Sequence, residues 1–353
     1  MVEAASSFPG ELCVRERMNW EFDPQCSSVN AIQSAFRSFG FALIRNVLDQ
    51  QELSTVRAEL DRAFDSGPLK NLPVMCPTEL LMREAVWRCL FKEHVVSSLR
   101  AALGPELCYQ NDMDVQRNSY GQAALQPHKG WHMDAGSETH HDYLRSADYR
   151  FAKCGIFLQD FDTGWGGGIM VKPKSHRRFF EPNPLKRSLF SLRRALDRGA
   201  IRAGLNVDTL EVPTRAGDLC FFDSRLLHSS VLPNAANIRK IGYHGKRDIG
   251  LFWPEIPKAY TKYVIYWDAC NTAMTEDFLR NSIGRAEIEI RSGQHGSYRP
   301  AVFTGFLSLR YPDDYPSDFV AAARSRGVAV ASLDTERATF YKQQLRSMPA
   351  LRA

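Results

Sequence analysis

The chain has 353 residues, 44% hydrophobic and 24% charged, with a formal net charge of +5. That is globular composition, long enough for a large core. So mild an overall charge does not argue for nucleic acid, and no apolar run approaches the roughly 20 residues that span a bilayer.

The eight cysteines, Cys13, Cys26, Cys76, Cys89, Cys108, Cys154, Cys220 and Cys270, are scattered and form no C-x-x-C pair. A zinc ribbon or a thioredoxin-like motif is therefore unsupported. Several sit in apolar stretches, where cysteine behaves as a small hydrophobe, so the reading is a reducing compartment without a disulfide framework. The N-terminal stretch has no basic region followed by an apolar one, so a cytoplasmic protein without signal peptide is expected.

Residues 28–40 predict a helix. Ser28 is its N-cap, Ile32, Ala35, Phe36 and Phe39 form its apolar stripe, and Gly40 ends it. Phe41–Val47 reads as a strand. A second helix follows Asp49, with Leu53, Val56, Leu60 and Ala63 on one face. Residues 80–103 are helical in pattern. From residue 107 the texture changes to short strands punctuated by Gly, Pro and Asp: "LCYQNDMDVQ", "KCGIFLQDF", "GGIMVKP", "DTLEVP", "DLCFFD" and "KYVIYWDAC". Such a series suggests a sandwich or barrel. Residues 185–203 interrupt it with Leu185, Leu189, Leu192 and Leu196 at helical spacing, and residues 316–347 look helical again. The expectation is a single domain: residues 1–106 as support, 107–270 as a β core with a helical insert at 185–203, and 271–353 as a C-terminal helical extension.

Within "GWHMDAGSETHHDY" (Gly130–Tyr143), His132 and Asp134 stand at i and i+2. On a strand these positions point to one face, so an imidazole and a carboxylate can meet one ion. Further on, "RAGDLCFFDSRLLHSS" carries a turn, an apolar strand and then His228. Two histidines and one carboxylate on one side of an ion make the facial triad of non-haem Fe(II) oxygenases, with the opposite positions left open.

Three stretches, "WHMDAG", "GGGIMVKPKSHRR" and "GDLCFFDSRLLHSS", together resemble the phytanoyl-CoA dioxygenase family of Fe(II)/2-oxoglutarate-dependent oxygenases. The resemblance implies a mainly β fold with flanking helices, built on a double-stranded β-helix (jelly roll, cupin-like) core. It implies His132, Asp134 and His228 as iron ligands and catalytic centre. It also implies Fe(II), 2-oxoglutarate as co-substrate, O2, and a basic residue for the far carboxylate of 2-oxoglutarate. An arginine fork suits a carboxylate best. Arg239 stands where the family usually places it, with Lys262, at the head of "KYVIYWDAC", as the second candidate. The stretch between Arg239 and Tyr263 is longer than the family pattern. Gln116 is a candidate donor to the near carboxylate, and Arg225 is expected beside the ligands or facing substrate.

Other readings are weighed beside these. His140 and His141 are either solvated loop residues or substrate contacts. His128 and His132 mimic zinc spacing, but the Glu of H-E-x-x-H is absent. "GWGGGIM" lacks G-K-[ST] and reads as a turn into a strand; no G-x-S-x-G occurs, and His176 reads as structural. The basic run from Lys172 to Arg202 is either the wet face of the leucine helix or a field for an anionic substrate.

The function expected is hydroxylation of an unactivated C–H in a small or medium organic metabolite, with an anionic one among the options. Succinate and CO2 would be released. Asp134 argues against halogenation, which needs the carboxylate's place for a halide. Desaturation, epoxidation and ring closure stay open, as do a non-catalytic jelly-roll binding protein and a cupin-like isomerase. The partner expected is a small-molecule substrate, with neither nucleic acid nor membrane, and oligomeric state is left open.

Overall fold

The computed structural model describes residues 19–25, 27–66, 69, 74–75, 77–118, 131–134, 142–146, 148–181, 183–186, 188–189, 192, 196, 208–240, 256–275 and 315–331. A short strand β1 (Glu21–Phe22) precedes helix α1 (Val29–Phe39). Ser28 caps that helix by accepting from the Ala31 amide, and Gly40 closes it at φ 87°. Ile32, Ala35 and Phe36 are buried. Strand β2 (Phe41–Ile44) is buried throughout. It ends before the Val47 expected from sequence. Asn46 turns to φ 53°, and the Val47 and Leu48 amides donate to the Gly217 carbonyl instead of continuing a ladder. Helix α2 (Gln50–Asp65) begins with a capping box between Asp49 and Glu52, and Leu53, Val56, Leu60 and Ala63 are buried as the periodicity requires.

The helical pattern of residues 80–103 resolves into α3 (Pro77–Leu81), α4 (Glu84–Trp87) and α5 (Glu93–Leu103), with a 3-10 turn at Arg88–Phe91. Nine further strands follow α2: β3 (Val74–Met75), β4 (Leu107–Arg117), β5 (Phe151–Phe157), β6 (Ile169–Val171), β7 (Leu210–Val212), β8 (Asp218–Asp223), β9 (His228–Ser230), β10 (Tyr263–Asn271) and β11 (Ala329–Val330). One sheet runs β1-β2-β8-β5-β10-β4-β11, with β3 also paired to β4. A second runs β7-β6-β9, and an isolated antiparallel bridge adds His132 to β9. In chain order the path visits the larger sheet (β4), the smaller (His132), the larger (β5), the smaller twice (β6, β7), then the larger, smaller and larger again (β8, β9, β10). This alternation between two facing sheets is the double-stranded β-helix, with helices on the outside of the larger sheet.

The outer face of that sheet is apolar. Phe221 of β8 meets Phe36 of α1 at 5.7 Å between ring centroids. Trp267 of β10 meets Tyr109 of β4, which stacks on Phe91, and Phe91 meets Phe319 of the helix Ser317–Ser325. Of the helical texture predicted for 316–347, the described part holds the helix Ser317–Ser325, and residues 332–347 lie outside the described residues. The chain then pairs as β11 in parallel with β4 before leaving the described residues at 331.

Leu185, Leu189, Leu192 and Leu196 are 58–76% exposed. These four leucines therefore bury no apolar stripe, while Arg187, Arg193, Arg194, Arg198 and Arg202 of the basic run lie outside the described residues. "GWGGGIM" does turn into a strand, with Gly166 and Gly167 at positive φ ahead of β6.

Gly40 shows how tightly α1 and β2 are joined to the site region. A Cβ built there would lie 2.4 Å from Nδ1 of the buried His176 and 2.7 Å from Leu226. Gly40→Ala combines left-handed strain with overpacking, so a loss of about 2–4 kcal/mol is expected in urea unfolding. A loss under about 1 kcal/mol would show that this junction is soft.

Candidate metal centre

His132 and His228 exchange both backbone hydrogen bonds, each amide 3.0 Å from the other's carbonyl. This antiparallel pair sets the two rings 4.3 Å apart, and Asp134, two residues on, swings its carboxylate between them. Asp134 Oδ1 lies 3.6 Å from His132 Nε2 and 3.7 Å from His228 Nε2. One donor atom from each of the three residues fits within a 4.8 Å span. Separations of 3.6–3.7 Å are too long for hydrogen bonds, and suit donors each about 2 Å from a common ion.

The two histidines differ in setting. His132's side chain is 57% exposed, whereas His228 is buried. Burial pushes the His228 imidazolium down to about 4, with His132 adding to the fall and Asp134 opposing it. The ring therefore stays neutral, as a ligand must. Its Nδ1 lies 3.0 Å from the Leu226 carbonyl. A proton on Nδ1 satisfies that carbonyl and leaves the Nε2 lone pair toward Asp134 and His132. Phe222 of β8 packs against the ring, with centroids 4.4 Å apart.

The turn between β8 and β9 holds His228 in place. Asp223 accepts from the Arg225 amide (2.8 Å), Nε (2.9 Å) and a terminal nitrogen (2.7 Å). The other terminal nitrogen donates to the Leu144 and Ser146 carbonyls. The guanidinium also stacks over Tyr149, whose hydroxyl bonds Ser224. Arg225 is thus a buried brace. Of its two expected places the geometry matches the one beside the ligands; a fork fully engaged inside the protein does not face substrate. Asp223, which organises the turn, was not singled out from sequence; its signal was an aspartate closing the apolar run "DLCFFD".

Lys262 is buried immediately ahead of β10, its stem against Gly167. Burial pushes its ammonium down to about 8. Gln116 is half-buried on β4 opposite Val264. The backbone of Arg239 lies in the short helix Ala235–Lys240; its side chain, like His140 and His141, lies outside the described residues. His176 is buried and bonds the Arg37 carbonyl, a structural role as expected. From the basic run, Arg178 donates to the sulfur of Met133, the residue between His132 and Asp134.

Sequence reasoning also passed over the larger sheet's inner face, which looks at these ligands. Lys153, Tyr266, Asp268 and Asp114 lie on it. The available signal was a lysine and an aspartate inside the otherwise apolar runs "FAKCGIF" and "YVIYWDAC".

The family model described as phytanoyl-CoA dioxygenase matches residues 36–240. No curated protein matches the chain. Among solved structures it is similar to the non-heme alpha-ketoglutarate-dependent epimerase SnoN from nogalamycin biosynthesis, at 14% identity over 69% of this chain and 82% of that one, with a TM-score of 0.43. It is also similar to EctD from S. alaskensis, solved with 2-oxoglutarate and 5-hydroxyectoine, at 14% identity over 68% and 75%, TM-score 0.43. A third is the nickel complex of the non-heme monooxygenase ThoJ, at 16% identity over 68% and 77%, TM-score 0.42.

Two outcomes follow from the site's construction. Asp223→Ala leaves the Arg225 charge buried without its carboxylate, so urea unfolding should show a loss of about 3–5 kcal/mol. The second concerns acid. In the metal-free protein His228 protonates only near pH 4, whereas an unfolded histidine does so at about 6.5. The unfolded chain binds the extra proton between these values. Stability from this residue is therefore intact above about 6.5 and declines as pH falls toward 4, by at most about 3 kcal/mol. The urea midpoint should drop across this window, and drop less in His228→Gln.

Proposed function

Because the chain belongs to the phytanoyl-CoA dioxygenase family, we propose that it is an Fe(II)- and 2-oxoglutarate-dependent dioxygenase that hydroxylates an unactivated C–H of a small or medium organic metabolite. The observation that carries this reading is the His132, Asp134, His228 donor set, with the His228 tautomer fixed by the Leu226 carbonyl. Two imidazoles and one carboxylate suit Fe(II) and leave one side of the ion for other ligands.

When bound, Fe(II) with 2-oxoglutarate and O2 supplies an oxidant able to cleave an unactivated C–H bond, with succinate and CO2 as co-products. The chain's own residues hold, orient and shield. His132, Asp134 and His228 would hold the metal from the smaller sheet. Phe222, packed against the buried His228 ring, would help shield that side of the site from water. Lys262 is our choice to pair with the far carboxylate of 2-oxoglutarate: it is a buried cation at the head of β10, on the face that also carries Gln116. Arg239 remains the alternative. Gln116, on the same inner face, would donate to the co-substrate.

The test is anaerobic titration with Fe(II) and 2-oxoglutarate, following the visible charge-transfer band of the chelate. The band should form in the wild type and be lost in His132→Ala and Asp134→Ala. In Lys262→Met the apparent Kd for 2-oxoglutarate should rise at least tenfold, about 1.4 kcal/mol, whereas Arg239→Met should change it little. A folded, iron-binding wild type that gives no band defeats the proposal. The reverse ranking of the two variants returns the carboxylate to Arg239.

A further inference from the structure

The inner face of the larger sheet carries charge where a structural core would carry leucine. Register places Phe222, Lys153 and Asp268 side by side across β8, β5 and β10. Phe222 touches His228, so this row stands level with the proposed metal ligands. Lys153 Nζ lies 3.3 Å from Asp268 Oδ1, with 14% and 5% of the two side chains exposed. Lys153 is close enough to His228 to oppose its protonation.

The neighbouring row is polar too. Gly155, Tyr266 and Asp114 are aligned across β5, β10 and β4. A Cβ on Gly155 would fall 2.9 Å from the Tyr266 ring. The missing side chain is what lets the phenol lie across β5. Asp114, Lys153 and the ligand candidate Asp134 all act electrostatically on that phenol. The row therefore faces the same space as the triad.

Along β10 the side-chain period of two sets Lys262, Val264, Tyr266 and Asp268 on one face. Lys262 stands at one end of this series. The Lys153–Asp268 pair stands at the other, next to His228.

An ion pair removed from water is costly, and a well-packed apolar pair of similar size is often as stable or more so. The fold gains nothing from charge here that leucine and methionine could not supply. A charged wall does gain selectivity: an apolar substrate would strip water from it and offer no hydrogen bond in return.

We infer that the Lys153–Asp268 pair is the docking point of the substrate, and that the substrate is a small molecule with hydroxyl or amine groups beside the reacting carbon, not an apolar acyl chain. The inference rests on the dioxygenase reading above and names the substrate class for that site.

The experiment compares wild type with the Lys153→Met/Asp268→Leu double variant. Thermal stability is measured first, then the anaerobic Fe(II)–2-oxoglutarate band. The band is then titrated with probes: free amino acids, amino alcohols, methyl glycosides and dodecanoyl-CoA. The double variant should keep or raise its Tm and form the band with unchanged 2-oxoglutarate affinity. In wild type at least one polar probe should shift the band, and dodecanoyl-CoA should not. The variant should bind that polar probe at least about tenfold more weakly, the loss expected for removing charged hydrogen-bond partners. The inference is overturned if dodecanoyl-CoA shifts the wild-type band, if no polar probe does, or if the variant binds the polar probe as wild type does. Should the double variant fail to fold, Asp268→Asn decides the matter: it keeps the shape and removes the charge, and unchanged probe affinity overturns the inference. Absence of the band in wild type is a different result, and it removes the dioxygenase reading itself.

Discussion

The paired backbone hydrogen bonds between His132 and His228 are the constraint on which the site depends. They join two segments far apart in the chain and put both rings on one side of the smaller sheet. Asp134 reaches the same point from the turn that follows this single bridge, not from a continuous strand as the i, i+2 spacing suggests. A slip of one residue would turn every side chain of the pair to the opposite face. Much of the surrounding structure prevents that slip. β9 is pinned to β6, and β6 to β7. The turn leading into β9 is locked by Asp223 and Arg225, and Ser175 Oγ accepts from the Leu227 amide.

The larger sheet divides its labour by face. Outward, Ala152, Cys154 and Ile156 of β5 and Trp267 of β10 join the apolar cluster under the helices. Stability is concentrated there, in aromatic contacts such as those linking Trp87, Phe91 and Phe319. Inward, the same strands present Lys153, Tyr266 and Asp268. Period-two alternation lets one strand serve both ends, since a change on the inner face leaves the outer packing untouched. That is why polar residues on these strands are affordable at all.

The parts of this arrangement legible in the sequence were those written in local chemistry. Ser28, Gly40 and Asp49 mark helix ends through side-chain oxygens and a positive φ, and each sits where such groups are needed. H-x-D followed by a distant histidine is a local pattern with a metal's geometry behind it. What was illegible depends on pairing. Nothing local says that Asn46 and Gly217 end β2 early. The two places open to Arg225 could not be separated from sequence, because its partner Asp223 and the carbonyls of Leu144 and Ser146 are identified only by the fold. The row of Phe222, Lys153 and Asp268 exists only once three strands are in register. The leucines at 185, 189, 192 and 196 gave the opposite lesson: their spacing is helical, yet periodicity could not say that they stay exposed.

The choice between Lys262 and Arg239 turns on the same distinction between pattern and place. An arginine matches a carboxylate better in the abstract, because its fork makes two bonds. A lysine is instead a compact charge on a flexible four-carbon stem, and its ammonium responds readily to burial. Lys262 is buried at the head of a strand on the inner side, beside Gly167 at φ 89°. Burial alone draws its ammonium down to about 8. A carboxylate arriving beside it would favour the charged form and reverse the fall. Each would then stabilise the other, and a dicarboxylate would gain from the site what a monocarboxylic keto acid of the same length could not.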